Sequence, residues 1–293
     1  MLKPNYSAST LSIWKVILFT TGAIAVFVII ALLCNLLTFW INPVLVRVLV
    51  RELLLRAPLT VYLLHQFAER VIRSYDPAYI YGRINFKKMI MWMIIGLFLP
   101  TLIWFCYWFF NLIVPFKHSQ PLSTSEEVNL LIKWSAISVA AGITEEVLFR
   151  GHIFALLSNR CAPGYAMAIS SLLFGLVHIS MLPAFRIGDM IIVTVGGFLA
   201  GMMFSMIYRQ SGVIGYAVLV HALWDVFFIG KITAITTRQA DANATILPFR
   251  LTNGKVWITG GSFGIEAGIF SLALYIAMIL ILGFWQRSRL IHA

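Results

Sequence analysis

Glu145 and Glu146 stand side by side in an otherwise apolar run, Gly142-Ile143-Thr144-Glu145-Glu146-Val147-Leu148-Phe149-Arg150. A charge in a hydrocarbon interior is costly, so acids kept there point to a working site. On a helix, Glu146 and Arg150 are i,i+4 neighbours that can form a hydrogen-bonded ion pair. Glu145 lies about 100° further round the helix and faces elsewhere. The spacing therefore divides the work: one carboxylate anchors the arginine and the other faces a cavity. A carboxylate screened from bulk water can take a proton from a water molecule near neutral pH. Two later apolar segments carry matching groups. Phe174 and His178 share a helix face in one, and His221 and Asp225 share a face in the next. A lone histidine in an apolar helix is ordinarily a packing residue, and a His–Asp pair can be self-contained. Three such segments in succession are better explained by a polar reaction chamber inside a bilayer.

The composition demands that bilayer. The chain has 293 residues, of which 60% are hydrophobic and 11% charged. Its mean hydropathy is +0.90. A soluble domain carries about 25% charged residues. The expected fold is all-α, a polytopic membrane helical bundle around a polar intramembrane cavity. A span needs about 20 mostly apolar residues. Seven segments qualify, near 13–41, 89–115, 128–158, 164–182, 189–208, 212–230 and 263–285, with an eighth if 42–88 hides one. The net charge of +11 is read as loop charge, with no nucleic-acid partner. Cys34, Cys106 and Cys161 read as small buried hydrophobes without a disulfide framework. The first apolar run is long enough to stay as a span and lacks a clear signal-peptide cleavage site.

Three regions follow: 1–127 with two spans, a four-helix core at 128–230, and 231–293 as a loop with a final span. Within the first, 42–88 carries eight Lys or Arg interleaved with apolar residues. It reads equally as a cytoplasmic linker with a short helix or as an amphipathic helix on anionic lipid headgroups. Placing it in the cytoplasm puts the N-terminus outside and the C-terminus inside. Cytoplasmic connections then hold twelve Lys or Arg, the eight of 42–88 with Arg160, Arg209, Arg287 and Arg289. Outside connections hold seven: Lys3, Lys117, Arg186, Lys231, Arg238, Arg250 and Lys255. Asn5-Tyr6-Ser7 and Asn243-Ala244-Thr245 match glycosylation sequons on the outer side, though such triplets arise by chance. Ser123 to Glu127 reads as a helix start. Pro163-Gly164 breaks the chain between spans, and the small residues of Gly196 to Gly201 read as a close helix contact.

Glu-Glu-x-x-x-Arg, Phe-x-x-x-His and His-x-x-x-Asx, in that order on successive hydrophobic segments, resemble the CPBP family of CAAX prenyl endopeptidases and the related bacteriocin-processing and abortive-infection-type proteins. The resemblance covers about 135–228, roughly a third of the chain. It implies a glutamic intramembrane endopeptidase that hydrolyses a peptide bond in a membrane-associated peptide or protein, with no metal or other cofactor. It would make Glu145 the general base that activates water. His178 would help hold that water, and His221 and Asp225 would hold water or the oxyanion. Glu146 and Arg150, with Phe174, would be structural support. The prenyl-protease branch has Asn where this chain has Asp225. An amide can donate to an oxyanion and an ionised aspartate cannot. Asp225 is therefore expected to be protonated or to act through an imidazolium at His221, and prenylated substrates are less strongly implied.

Other readings use the same residues. A zinc-dependent membrane protease would need ligands such as His178, His221, Glu145 and Asp225, but the chain has no His-Glu-x-x-His. A membrane scaffold or immunity or regulatory protein could share the fold without catalysis. A transporter could use the acids as a proton relay. His152 is expected at the cytoplasmic interface, Glu266 at an interface opening the last span, and Lys133 snorkelling to the outer surface. A bacterial plasma membrane is the expected location, and substrate access is expected from the cytoplasmic side or laterally from lipid.

Overall fold

The computed structural model describes residues 11–71, 82–228, 232–236 and 239–291. Lys3, the Asn5 sequon, Arg73, Lys231 and Arg238 lie outside the described residues, as do the side chains of Arg287 and Arg289. Helix α1 (Ile13–Thr38) starts at Ser12, whose hydroxyl accepts from the Lys15 amide. Its outer face exposes Trp14, Leu18, Leu32 and Leu36, as a lipid-facing span must. The chain then turns back on itself. Helix α2 (Val44–Leu49) passes through a π-helical stretch, Val50–Arg56, into α3 (Ala57–Val71). This rod lies antiparallel to α1. Arg47 Nη1 donates to the Phe39 carbonyl at 2.9 Å and Arg51 Nη1 to Asn35 Oδ1 at 2.8 Å. Further along, the Arg56 guanidinium lies 5.7 Å from the Phe27 ring centre, and Phe67 meets Phe19 edge-on at 6.1 Å.

Residues 44–71, within the segment read as a linker with a short helix, an interfacial helix or a hidden eighth segment, thus form one rod packed along α1. The rod runs nearly the length of α1, so residues 44 and 71 lie at opposite ends of the bundle. Ala68 packs with Leu156, alongside Leu11 and Phe19. The start of α1 therefore shares an end of the bundle with Arg70 and Arg160. What lets the rod pack along α1 is Glu52, which is buried and binds Arg51 Nε at 2.8 Å and Arg56 Nη1 at 3.0 Å. Charges that neutralise one another inside the protein are tolerated where single charges are not, and a hydropathy window sees only their sum. Cysteines placed at Trp14, Lys87 and Ser262 in a variant without the native three should test the arrangement. An impermeant maleimide applied to one face is expected to label positions 14 and 87 together and 262 from the opposite face. Labelling of 14 and 87 from opposite faces would refute it.

Helix α4 (Phe86–Phe109) follows, then strand β1 (Ile113–Pro115). Helix α5 (Thr124–Glu146) begins with the capping box formed by Ser123 and Glu126, as Ser123 to Glu127 foretell. It continues through a second π-helical stretch, Val147–Ile153, into α6 (Phe154–Ser158). Helix α7 (Pro163–Val177) opens with Pro163 in its first turn and ends in a 3-10 turn, His178–Met181. Helices α8 (Ile187–Ser211) and α9 (Ile214–Phe228) complete the core. Beyond it come β2 (Thr233–Thr236), α10 (Gln239–Asn243), β3 (Leu247–Leu251), α11 (Val256–Thr259), a 3-10 turn at Ile265–Ala267, and α12 (Ile269–Ile291).

The fold is a helical membrane bundle, and among the described residues five helices are long and apolar enough to cross: α1, α4, α7 with its 3-10 turn, α8 and α12. Helix α9 is apolar but has 15 residues. Helix α5 falls short of that measure because it carries Lys133 and four acids. A small sheet is an addition to the all-helical expectation: β3 pairs antiparallel with β1 and parallel with β2. Strands this short give no hydrophobic run that a span search registers. All three cysteines are free.

Three contacts between backbones set the core. A Cβ on Gly197 would lie 2.5 Å from Gly175 Cα, and one on Gly175 would lie 2.5 Å from the Thr194 carbonyl oxygen. Helices α7 and α8 thus cross with nothing between them, as the small residues near Gly196 suggest. Gly142 does the same for α5 against α9, where its Cβ would be 3.0 Å from the Ala222 nitrogen. Gly175→Ala must push α8 away and is expected to destabilise the protein by about 1–3 kcal/mol. A thermal melt in detergent checks this, and an unchanged midpoint would show that the crossing is looser.

Candidate active site

Four helices meet at the Gly142 and Gly175 crossings, and three of them contribute polar side chains to the cluster. Helix α5 presents Glu145 and Glu146 where its hydrogen bonding passes into the π-helical stretch. Such stretches are frequent at functional sites because the wider turn re-aims side chains. Every residue of Val147–Ile153 is buried. Helix α7 brings Phe174 and His178, and α9 brings His221 and Asp225. The structure gathers all seven residues expected from sequence.

Glu146 is the hub. Its Oε1 accepts from Arg150 Nη1 at 2.9 Å and from His221 Nδ1 at 2.7 Å. Arg150 is 1% exposed, so its charge must be answered inside the protein. Besides Glu146, aromatic faces do this: the guanidinium carbon lies 4.4 Å from the Phe174 ring centre and 5.5 Å from that of Phe204. Gly201 leaves the room, since its Cβ would come within 3.1 Å of Arg150 Nη2.

Glu145 is placed differently. Its Oε2 lies 3.9 Å from His178 Nε2 and 4.0 Å from His221 Nε2, too far for direct hydrogen bonds. His178 Nδ1 donates to the Phe174 carbonyl at 2.7 Å, so its Nε2 is the nitrogen turned to Glu145. His221 donates from Nδ1 to Glu146, which likewise leaves Nε2 toward Glu145. That nitrogen is 3.6 Å from Asp225 Oδ2. The spacing of His221 and Asp225 suggests that the aspartate orients the imidazole. In the structure Glu146 orients it, and Asp225 shares the edge that faces Glu145. These tautomers are assigned from the hydrogen-bond partners.

The sequence reading misses three groups. Phe204 stacks on His221 with ring centres 4.5 Å apart and planes at 13°. Phe263 meets His178 edge-on at 5.9 Å. Glu266, expected at an interface, instead turns inward: Trp224 donates its indole N–H to Glu266 Oε1 at 3.1 Å. The same reasoning that selects Glu145, an acid inside an apolar stretch, would have found Glu266. His152 is corrected too, being 0% exposed. Its Nδ1 donates to the Val147 carbonyl at 2.7 Å, within the π-helical stretch. Lys133 is half-buried, with its ammonium 4.9 Å from the Trp134 ring centre. Among the described residues, no group of three or more His, Cys, Asp and Glu is arranged to hold a metal ion.

Residues 127–227 match the family model for type II CAAX prenyl endopeptidases, Rce1-like. The matched segment contains every element of the cluster except the Phe263–Glu266 loop, and it bears out the resemblance carried by the three motifs. No curated protein and no solved structure matches the chain.

Proposed function

We propose that this membrane protein is an intramembrane endopeptidase in which Glu145 activates water against a peptide bond of a membrane-associated peptide or protein. The observation that carries the reading is the contrast between the two glutamates. Glu146 Oε1 is engaged by Arg150 at 2.9 Å and by His221 at 2.7 Å, whereas Glu145 faces two imidazole nitrogens at 3.9 and 4.0 Å. Groups at that separation can share one water at about 2.8 Å from each. Glu145 takes a proton from this water as its oxygen bonds to the carbonyl carbon. The C–N bond then breaks, and the proton passes from Glu145 to the departing nitrogen. His178 Nε2 accepts a hydrogen bond from the same water and fixes its direction.

The oxyanion needs a donor. His221 already donates from Nδ1, so it donates from Nε2 only as an imidazolium; otherwise a protonated Asp225 must serve. Either state stabilises the developing charge in a site screened from water. Glu146, Arg150 and Phe174 hold His221 and the π-helical stretch in place. An apolar groove of about 330 Å³, lined by Ile179, Ile187, Met190, Ile191, Thr194 and Val195, lies just beyond His178. It supports lateral access for a hydrophobic segment of the substrate.

The test compares peptide termini in cells carrying wild type, Glu145→Gln or no protein, with equal expression shown by immunoblot. New termini that require wild type and vanish with Glu145→Gln support the reading and identify the substrate. A wild-type phenotype without Glu145-dependent cleavage would favour a scaffold role.

A further inference from the structure

We propose that Glu266 is a positioning residue of this site, holding the Trp224 indole and through it the part of α9 that carries His221 and Asp225. This inference rests on the protease reading above. Trp224 is adjacent to Asp225 and is 4% exposed. Its ring packs between Phe228 and Tyr275, with centres 5.0 and 5.3 Å away. The indole N–H points out of that sandwich to Glu266 Oε1. A buried indole N–H needs an acceptor, and here the acceptor comes from outside the four-helix core.

The loop that delivers Glu266 is held from three helices. Tyr107 of α4 donates its hydroxyl to the Ile258 carbonyl. Asp189 of α8 accepts from the Ser262 hydroxyl at 2.8 Å and from its amide at 3.2 Å. Tyr275 of α12 donates to the Glu266 carbonyl at 3.2 Å. Gly260 and Gly261 take positive φ, at 72° and 67°, and a Cβ on Gly260 would sit 1.8 Å from the Gly264 carbonyl oxygen. Only glycine permits this turn. A loop built so closely places two side chains on the site: Phe263 on His178 and Glu266 on Trp224. The electrostatic influence of Glu266 also reaches Asp225, His221 and Glu145, as expected for a carboxylate within the cluster.

The experiment uses the full chain in detergent with Glu266→Gln, Glu266→Ala, Trp224→Phe and the double variant Trp224→Phe/Glu266→Ala. Hydrogen exchange, which needs no substrate, should quicken together in 218–228 and 260–268 for Glu266→Ala and Trp224→Phe. Glutamine keeps an acceptor oxygen and should restore wild-type exchange. On the substrate identified by the terminus comparison, both single losses should lower kcat about tenfold or more, with KM changed less than about threefold. The double variant should be no worse than either single one. Unchanged exchange, a purely KM effect, additive losses or a glutamine variant as poor as alanine would each overturn the proposal. Faster exchange with no Glu145-dependent cleavage by wild type would instead sink the protease reading and reduce Glu266 to a structural clamp.

Discussion

Glu145→Gln is expected to lower the cleavage rate by at least about 10²–10⁴-fold, the usual contribution of a positioned general base, without weakening the fold. Both halves of the expectation come from geometry. Glu145 accepts no hydrogen bond among the described residues, its closest partners being 3.9 and 4.0 Å away. Replacing it with a neutral isostere therefore breaks nothing in the folded protein, while an amide cannot take a proton from water. Glu146→Gln should behave in the opposite way. It removes the charge that answers Arg150 and leaves a neutral amide oxygen, a weaker acceptor, for both Arg150 and His221, so stability falls together with activity. Single-turnover rates alongside melting midpoints separate the two. Equal loss of stability in both variants would mean that the glutamates are not divided as their contacts suggest.

Arg150→Met carries the largest expected effect on stability. Removing one partner of a buried ion pair typically costs about 3–5 kcal/mol, because the remaining charge is left uncompensated. Here that charge is Glu146, 0% exposed and already committed to His221. The loss should also disturb the packing of Phe174 and Phe204, whose faces lie against the guanidinium. Removing both charges with Glu146→Gln/Arg150→Met should recover part of the stability, since no buried charge then stands alone. It should not recover activity, because His221 loses its anionic partner. Unfolding in detergent, followed by heat or denaturant, checks the order: wild type, then the double variant, then Arg150→Met. A single variant as stable as wild type would show that water reaches Arg150.

Much of this could be read from the chain by itself. Its composition determines a helical membrane bundle, since 60% hydrophobic residues with 11% charged cannot be arranged as a soluble domain. The i,i+4 spacing of Glu146 with Arg150 determines their pairing, because a helix places such residues on one face. The order of the three motifs names the residues that must meet. What spacing along one helix could not decide is which partner comes from another. His221 is four residues from Asp225, yet its Nδ1 bonds Glu146, 75 residues away in sequence. That choice belongs to the α5–α9 crossing, where Gly142 lets the backbones touch. The return of 44–71 along α1 was hidden because Arg51, Glu52 and Arg56 lower the hydropathy of the segment, although the three charges pair with one another inside the protein. Glu266 was legible as an acid in an apolar stretch, but its partner was not, because a turn of glycines swings it from the start of a span onto Trp224. Local periodicity reports which face a residue takes on its own helix; the crossing of helices, set by where glycine removes the side chain, decides what that face meets.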